Sequence, residues 1–282
     1  MLAEAGDRHP LQLSVQTLEP LNRVILDGLN VAPEVVPGMI RTHSVAVGSY
    51  VGAPAEDCAY LLDQLTSWLN EMEPSDPSEV VPFAFIKAVV AHVYLEWIHP
   101  FGDGNGRLGR LAEFIILTNS GIATPAAHVL TSHYNDTRSE YYRQLQQASR
   151  NGGDLTPFLL YAAQGFVDGL LTQIKLLHKQ QEKLMWRHFV DQRHEGKPAE
   201  TASRQPKLAL SLGAHDGWIE RDEISLLDRS LARAYSNRTD KTVTRDLNKL
   251  AECGYVEIKG SRVRARTELI GGMRAFTAEQ AS

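Results

Sequence analysis

Two apolar helical patterns, over residues 83–97 and 108–117, are joined by a stretch of different character: His99-Pro100-Phe101-Gly102-Asp103-Gly104-Asn105-Gly106-Arg107-Leu108-Gly109-Arg110. The first pattern places Phe83, Ile86, Val90, Val93 and Trp97 on one side and has few polar positions, which predicts a central, mostly buried helix. Leu108, Leu111, Phe114, Ile115 and Leu117 predict a second buried helix, stopped by Asn119-Ser120-Gly121. A titratable imidazole, a carboxylate, glycines and two arginines therefore sit where one core helix hands over to the next. That placement dictates a mainly α fold and puts the polar residues at a helix N-terminus.

The chemistry of such a stretch is that of a phosphate site. Gly102, Gly104 and Gly106 reach backbone angles that other residues resist and let a ligand approach the main chain. Unpaired N–H groups at that helix start, aided by the helix dipole, can hold an anion. Arg107 and Arg110 are three residues apart, so both guanidiniums can lean over the same phosphates. Asp103 alone would repel phosphate; with Mg²⁺ bridging it to phosphate oxygens it becomes a metal ligand. His99, with an ordinary pKa near 6.5, suits the role of base towards a hydroxyl. Phe101, apolar in a polar loop, is expected to anchor the loop in the core. A Walker-type loop is excluded because no Gly-Lys-Ser/Thr follows the glycines. A Rossmann turn is excluded because a helical pattern precedes them. His92 and His99 lack both the spacing and a cysteine partner for zinc.

The twelve residues resemble the signature of the Fic (Fic/Doc) family, His-Pro-Phe-x-Asp/Glu-Gly-Asn-Gly-Arg-x-x-Arg, with every specified position filled. The resemblance implies an all-helical core and transfer of AMP from ATP to a Ser, Thr or Tyr hydroxyl of a target protein. In it His99 is the general base and Asp103 holds Mg²⁺. Gly104, Asn105 and Gly106 form the anion hole, and Arg107 and Arg110 grip the β- and γ-phosphates. The Doc branch, a kinase, carries Lys where Gly106 stands, so nucleotidyl transfer is expected over phosphorylation. Met39 to Val51 occupies the place of the family's β-hairpin flap, with Thr42, His43, Ser44 and Val45 as target-docking positions. Tyr141 and Tyr142 are similar to a tyrosine pair beside the adenine; adjacent helical residues diverge by about 100°, so only one is expected to reach the base. Many members carry an inhibitory helix, Ser/Thr-x-x-x-Glu-Gly/Asn. Ser67 to Glu71 has the first spacing but is followed by Met72, and the expectation is an enzyme that no such helix restrains.

The remainder of the chain fits around this centre. Leu61, Leu62, Leu65, Trp68 and Leu69 mark an amphipathic helix within 55–72, and helical patterns continue over 125–150 and 155–190. Residues 196–206 have linker composition, which divides the chain into a catalytic domain over 1–195 and a small domain over 207–282. Charge follows the division: residues 204–274 carry 14 basic against 10 acidic side chains, whereas the whole chain is at −5. In the small domain a helix over 241–249 precedes two strands, Tyr255–Ile258 and Arg262–Arg266, around Lys259-Gly260-Ser261. This is similar to a winged helix-turn-helix, with Lys241, Thr242, Arg245 and Lys249 on a recognition helix and Arg262, Arg264 and Arg266 on a wing. DNA contact and a dimerising or target-docking role both remain open for it.

The expected fold is thus mainly α, a helical core with a hairpin flap followed by a winged-helix-like domain. The expected partners are ATP, a hydroxyl-bearing target protein, the chain itself by self-modification, a second copy as a homodimer, and DNA through the small domain. No stretch of about 18 apolar residues is seen, so no membrane is expected. An acidic N-terminus without an apolar signal core, and two distant cysteines, Cys58 and Cys253, suggest the cytoplasm. The alternative is a nucleotide-sensing, DNA-binding transcriptional regulator whose core does not turn over; the intact base, metal ligand and arginines favour the enzyme.

Overall fold

The computed structural model describes residues 11–48, 50–194 and 199–270. The chain divides into two compact units, Met1–Thr172 and Gln173–Ser282, each with its own apolar core.

The first unit is helical apart from one small hairpin. Helix α1 (Val15–Leu26) starts at Ser14, whose hydroxyl accepts the N–H of Thr17 while the Thr17 hydroxyl accepts that of Ser14. This reciprocal cap satisfies two donors that a helix start leaves unpaired. The hairpin is β1 (Ala46–Val47) against β2 (Tyr50–Val51), antiparallel. Helix α2 (Cys58–Glu71) buries Leu62, Leu65 and Leu69, although Trp68 stays 45% exposed beside Tyr94. Helix α3 (Val80–Ile98) and helix α4 (Asn105–Asn119) pack along each other at the centre of the unit. Helices α5 (Thr124–Ala127), α6 (Val129–Asp136), α7 (Arg138–Arg150) and the start of α8 (Thr156–His194) add Ala127, Leu130, Tyr134, Tyr141 and Phe158 to the same core.

Helix α3 corrects two expectations. A helix apolar all round carries no directional signal, and the side chains turned inward include Ala84, Ala88, Ala91 and Leu95, while Ile86 is 44% exposed. The segment Pro77–Ile98 is also long and apolar enough, by length and composition, to cross a bilayer, contrary to the sequence expectation. Here the core of a folded unit covers its inner side.

The second unit takes the rest of α8, then α9 (Ala199–Gly213), β3 (Ile219–Glu220), α10 (Arg229–Tyr235), α11 (Asp240–Glu252), β4 (Val256–Lys259) and β5 (Arg262–Ala265). The antiparallel sheet has the order β3-β5-β4, with Val256 opposite Ala265 and Ile258 opposite Val263. The hairpin stands where the sequence places it, and β3 is an addition.

The division of the chain also differs from the expected linker at 196–206. Trp186, Phe189 and Val190, in the last turns of α8, are core residues of the second unit. Residues 199–213 are helical despite Pro206. Two polar features of this unit carry ion pairs, one buried and one at the surface. Asp246 on α11 is buried, bonded to Arg204 (2.7 Å), Gln205 (3.2 Å) and Tyr235 (3.1 Å). Each expected wing arginine faces a carboxylate: Arg262 to Glu220 at 4.0 Å, Arg264 to Glu257 at 2.7 Å and Arg266 to Glu268 at 3.5 Å. Cys58 and Cys253 are free thiols.

Candidate active site

The end of α3 sets the geometry. His99 is its C-cap and has a left-handed backbone, φ 52°, ψ 57°; among the described residues it is the non-glycine with positive φ. Pro100 cannot continue a helix, so the chain turns here. A left-handed side-chain-bearing residue costs about 1–2 kcal/mol, a strain that surrounding contacts must hold in place. They are present. Phe101, buried as expected, forms a β-bridge with Ile40. Arg41, itself buried, donates to the carbonyls of His99 (2.7 Å), His43 (2.7 Å), Ala53 (2.5 Å) and Ile98 (3.4 Å).

This bracing fixes the histidine's chemistry. His99 Nδ1 lies 3.2 Å from the Glu96 carbonyl, which can only accept, so Nδ1 carries the proton and Nε2 keeps its lone pair. Burial pushes the imidazole below its ordinary pKa; the Arg41 charge adds to this, and the Glu96 carbonyl opposes it. A neutral ring with a free Nε2 at pH 7 is a competent base.

Helix α4 begins directly beyond. Gly104 is its N-cap at φ 82°, a conformation that favours glycine, and an added Cβ would come within 3.0 Å of Asn22. The side chain of Asn105 serves the loop rather than a ligand: its Oδ1 accepts from Phe101 N (2.9 Å) and its Nδ2 donates to Phe101 O (2.7 Å). The Gly104 N–H is engaged by the Asp103 carboxylate. The first-turn N–H groups that follow have no intrahelical acceptor, as at any helix start, and suit an anion. Arg107 reaches the Asp103 carboxylate at 3.4 Å and the Ile25 carbonyl at 3.3 Å. Arg110, half-buried, stands nearer the glycines: a Cβ on Gly106 would lie 3.5 Å from its Nη1.

Asp103 is 50% exposed, and among the described residues nothing hydrogen-bonds its second oxygen. No three His, Cys, Asp or Glu side chains gather into a metal cage among those residues. A single accessible carboxylate beside an anion site fits Mg²⁺, which binds through one or two carboxylates together with substrate phosphates and water.

A cleft of 510 Å³ opens next to His99, lined among others by Val47, Tyr50, Glu96, Trp97 and Tyr142. The tyrosine pair is thereby separated. Tyr142 is 46% exposed and faces the cleft, whereas Tyr141 is buried with its hydroxyl 2.9 Å from His92 Nε2. The paired strands of the flap occupy the end of the Met39–Val51 stretch. Thr42, His43 and Ser44 lie ahead of the paired strands, and Val45 contributes only its carbonyl, to Gly52 N at 3.1 Å. Both strands of the hairpin border the cleft, through Val47 and Tyr50.

The sequence reading missed Arg41, Asn22, Tyr50 and Glu96. Asn22 donates to Asp103 O and accepts from Gly38 N, both at 2.9 Å, tying α1 to the loop. The Tyr50 hydroxyl donates to Trp97 O at 2.6 Å, fastening β2 to the end of α3. A polar residue in an apolar or β-branched run was the only signal available for the first two.

Beneath Gly109 lies a neutral polar cluster. Tyr134 donates to Glu113 at 2.9 Å, and Glu113 is 3.8 Å from His92. Burial pushes Glu113 up to about 8 and His92 down to about 3. The unfolded chain releases the carboxyl proton near 4.5 while the folded protein keeps it, so this group's contribution to stability is lost as pH rises from about 4.5 through about 8. Glu113→Gln, which cannot ionise, should therefore lose less melting temperature between pH 5 and pH 8.5 than the wild type. Parallel slopes in thermal melts would refute the assignment.

Residues 12–117 match the Fic/DOC family model. The chain is 36% identical over 155 residues to "Protein adenylyltransferase fic-1" of Caenorhabditis briggsae, covering 54% of this chain and 27% of that protein. It is 34% identical over 126 residues to "Protein adenylyltransferase Fic" of Nematostella vectensis, covering 45% and 26%. It thus spans about a quarter of the length of these curated relatives. Among solved structures, a Fic family protein from Desulfovibrio desulfuricans G20 is 21% identical, with 89% of this chain and 68% of that one covered at a TM-score of 0.49. Fic-1 from C. elegans is 29% identical, with 60% and 45% covered at 0.45.

Proposed function

We propose that the chain is a protein adenylyltransferase, moving AMP from ATP to a hydroxyl side chain of a target protein or of the chain itself. The observation that carries this is the fixed tautomer of His99: Nδ1–H is bound to a carbonyl, and the ring lines the cleft that Tyr50 and Tyr142 also line. Nε2 takes the proton of the incoming hydroxyl. The hydroxyl oxygen bonds to the α-phosphorus, and the bond to the β-phosphate oxygen breaks, releasing pyrophosphate. First-turn N–H groups of α4 stabilise the charge that develops on the α-phosphate. Arg107 and Arg110 hold the β- and γ-phosphates. Asp103 would hold Mg²⁺, which supplies charge neutralisation between phosphate oxygens when bound. Tyr142 offers a ring face to the base, and Ala46–Val47 offers a strand edge to the target backbone.

The relatives named as protein adenylyltransferases support the same reading. Incubation of the protein with Mg²⁺ and each NTP in turn, followed by intact-mass measurement, tests it. A gain of one AMP with ATP is the expected result; no gain on the chain or on any added protein would contradict it.

The second unit we read as a winged helix, from its order of α9, β3, α10, α11, β4 and β5. The ion-paired arginines of its hairpin favour target docking or dimerisation over duplex DNA, since paired guanidiniums have less charge to give to phosphates.

A further inference from the structure

Helix α3 is apolar over most of its length, yet its middle carries an imidazole, His92, that is fully buried. It stands about two turns before His99 and has no part in the transfer as just described. A buried polar ring costs stability unless it is bonded. His92 is bonded, with Nε2 2.9 Å from the Tyr141 hydroxyl on α7. Tyr141 is itself buried, but its ring meets that of Tyr142, centroids 5.2 Å apart and planes at 57°. Arg138 also lies over the Tyr142 ring, at 5.7 Å. That contact is made within α7 and turns with it, so it cannot fix α7 against α3; the bond from Tyr141 to His92 can. Other elements close on the same imidazole. The rings of Tyr134 and Phe158 lie 5.2 Å and 6.4 Å from it, and a Cβ on Gly109 of α4 would come within 3.3 Å of its Nδ1. Apolar packing is non-directional and does not single out one rotation of a helix. Neighbouring positions diverge by about 100°, so a turn of α7 that brought Tyr141 towards the cleft would withdraw Tyr142. A directional bond at the buried tyrosine selects one rotation.

We propose that His92 is a positioning residue for the nucleobase: through its hydrogen bond to Tyr141 it fixes the rotation of α7, and with it the place of the Tyr142 ring relative to His99. It touches neither nucleotide nor target. One helix then carries the base of the reaction at its end and the anchor of the nucleobase wall in its middle. The inference rests on the nucleotide reading above, in which Tyr142 meets the base, and adds the residue that sets where that ring stands.

Three quantities test this in His92→Phe, His92→Gln, Tyr141→Phe and Tyr142→Ala: Mg-ATP affinity by calorimetry, inhibition of AMP transfer by Mg-tripolyphosphate, which has no base, and kcat at saturating ATP. His92→Phe and Tyr141→Phe keep an aromatic ring and lose the bond. Each should weaken ATP by about five-fold, the worth of one hydrogen bond, with tripolyphosphate and kcat within about two-fold of wild type. The double variant should bind ATP no more weakly than either single one, since both remove the same interaction. His92→Gln, which keeps a side-chain donor and acceptor, should recover ATP affinity to within about two-fold of wild type. In a Tyr142→Ala background His92→Phe should change ATP affinity by less than about two-fold. Equal losses for ATP and tripolyphosphate would make the imidazole merely structural and overturn the proposal. Unchanged ATP affinity in both single variants overturns it too, as does a loss that glutamine does not recover or that persists without the Tyr142 ring. If His92→Phe does not fold, Tyr141→Phe decides by the same comparison of ATP with tripolyphosphate. A wild type that binds no ATP, or a Tyr142→Ala variant that binds it as well as the wild type, removes the nucleotide reading and this inference with it. A loss in Tyr142→Ala beside unchanged His92 and Tyr141 variants removes only the role of His92.

Discussion

His99→Ala should lower AMP transfer by about 10²- to 10⁴-fold, the usual range for losing a positioned base, while ATP affinity stays within about two-fold. The split is expected because the imidazole meets the hydroxyl and not the phosphates in the proposed reaction. A mass gain under single-turnover conditions reads the first quantity and equilibrium binding of ATP the second. A variant that transfers at the wild-type rate removes the histidine from the chemistry. Backbone strain adds a control: glycine at the same position relieves the left-handed conformation, so His99→Gly should unfold at a higher temperature than His99→Ala, by about 1 kcal/mol in stability. The pH profile has a defined sign. With the His99 pKa lowered by burial, the ring stays neutral through pH 7, and the rate should fall only on the acid side of its ordinary value.

The second large effect is expected away from the reacting atoms. Arg41→Ala removes a buried guanidinium that closes four carbonyls from three stretches of chain, those of His43, Ala53, and Ile98 with His99. Leaving these acceptors without donors should cost about 3 kcal/mol or more, a fall of roughly 6–12 °C in the melting temperature of the first unit. Transfer should fall with it, because the same bonds hold the flap approach against the histidine backbone. Arg41→Lys, with one compact donor head in place of a planar fork, should recover only part of either quantity. Circular dichroism melts with parallel transfer assays decide the matter; an alanine variant that melts within a degree of wild type would show that the brace is dispensable.

The contrast between these two residues shows what a sequence exposes. His99, Asp103, Arg107 and Arg110 are legible because one local stretch carries them and the helix period orients them. Arg41 acts on a carbonyl 58 residues away, and Asn22 on one 81 residues away. No spacing rule reaches that far. Tyr141 and Tyr142 were separable in principle, since adjacent helical positions diverge, but choosing the buried one needs His92, a partner from another helix. Helix α3 shows a different limit: when nearly every side chain is apolar, patterning locates a helix and says little about which side faces inward. Of the expected linker over 196–206, residues 196–198 lie outside the described residues and the rest is helical, for a related reason. Polar, proline-containing composition predicts exposure, but it does not forbid a helix that packs Leu208, Ala209 and Leu212 into a core.

The two hydrogen bonds by which Asn105 spans the backbone of Phe101 have a thermodynamic consequence. An amide that pairs with both the N–H and the C=O of one residue closes the loop as a strand partner would. The donors at the start of α4 are then in register before any nucleotide arrives. Loop ordering is charged to folding, and the ligand meets a preorganised array whose entropy is already spent. On the proposed reaction, nucleotide encounter at this site should be set by diffusion and by charge, not by the folding of a loop.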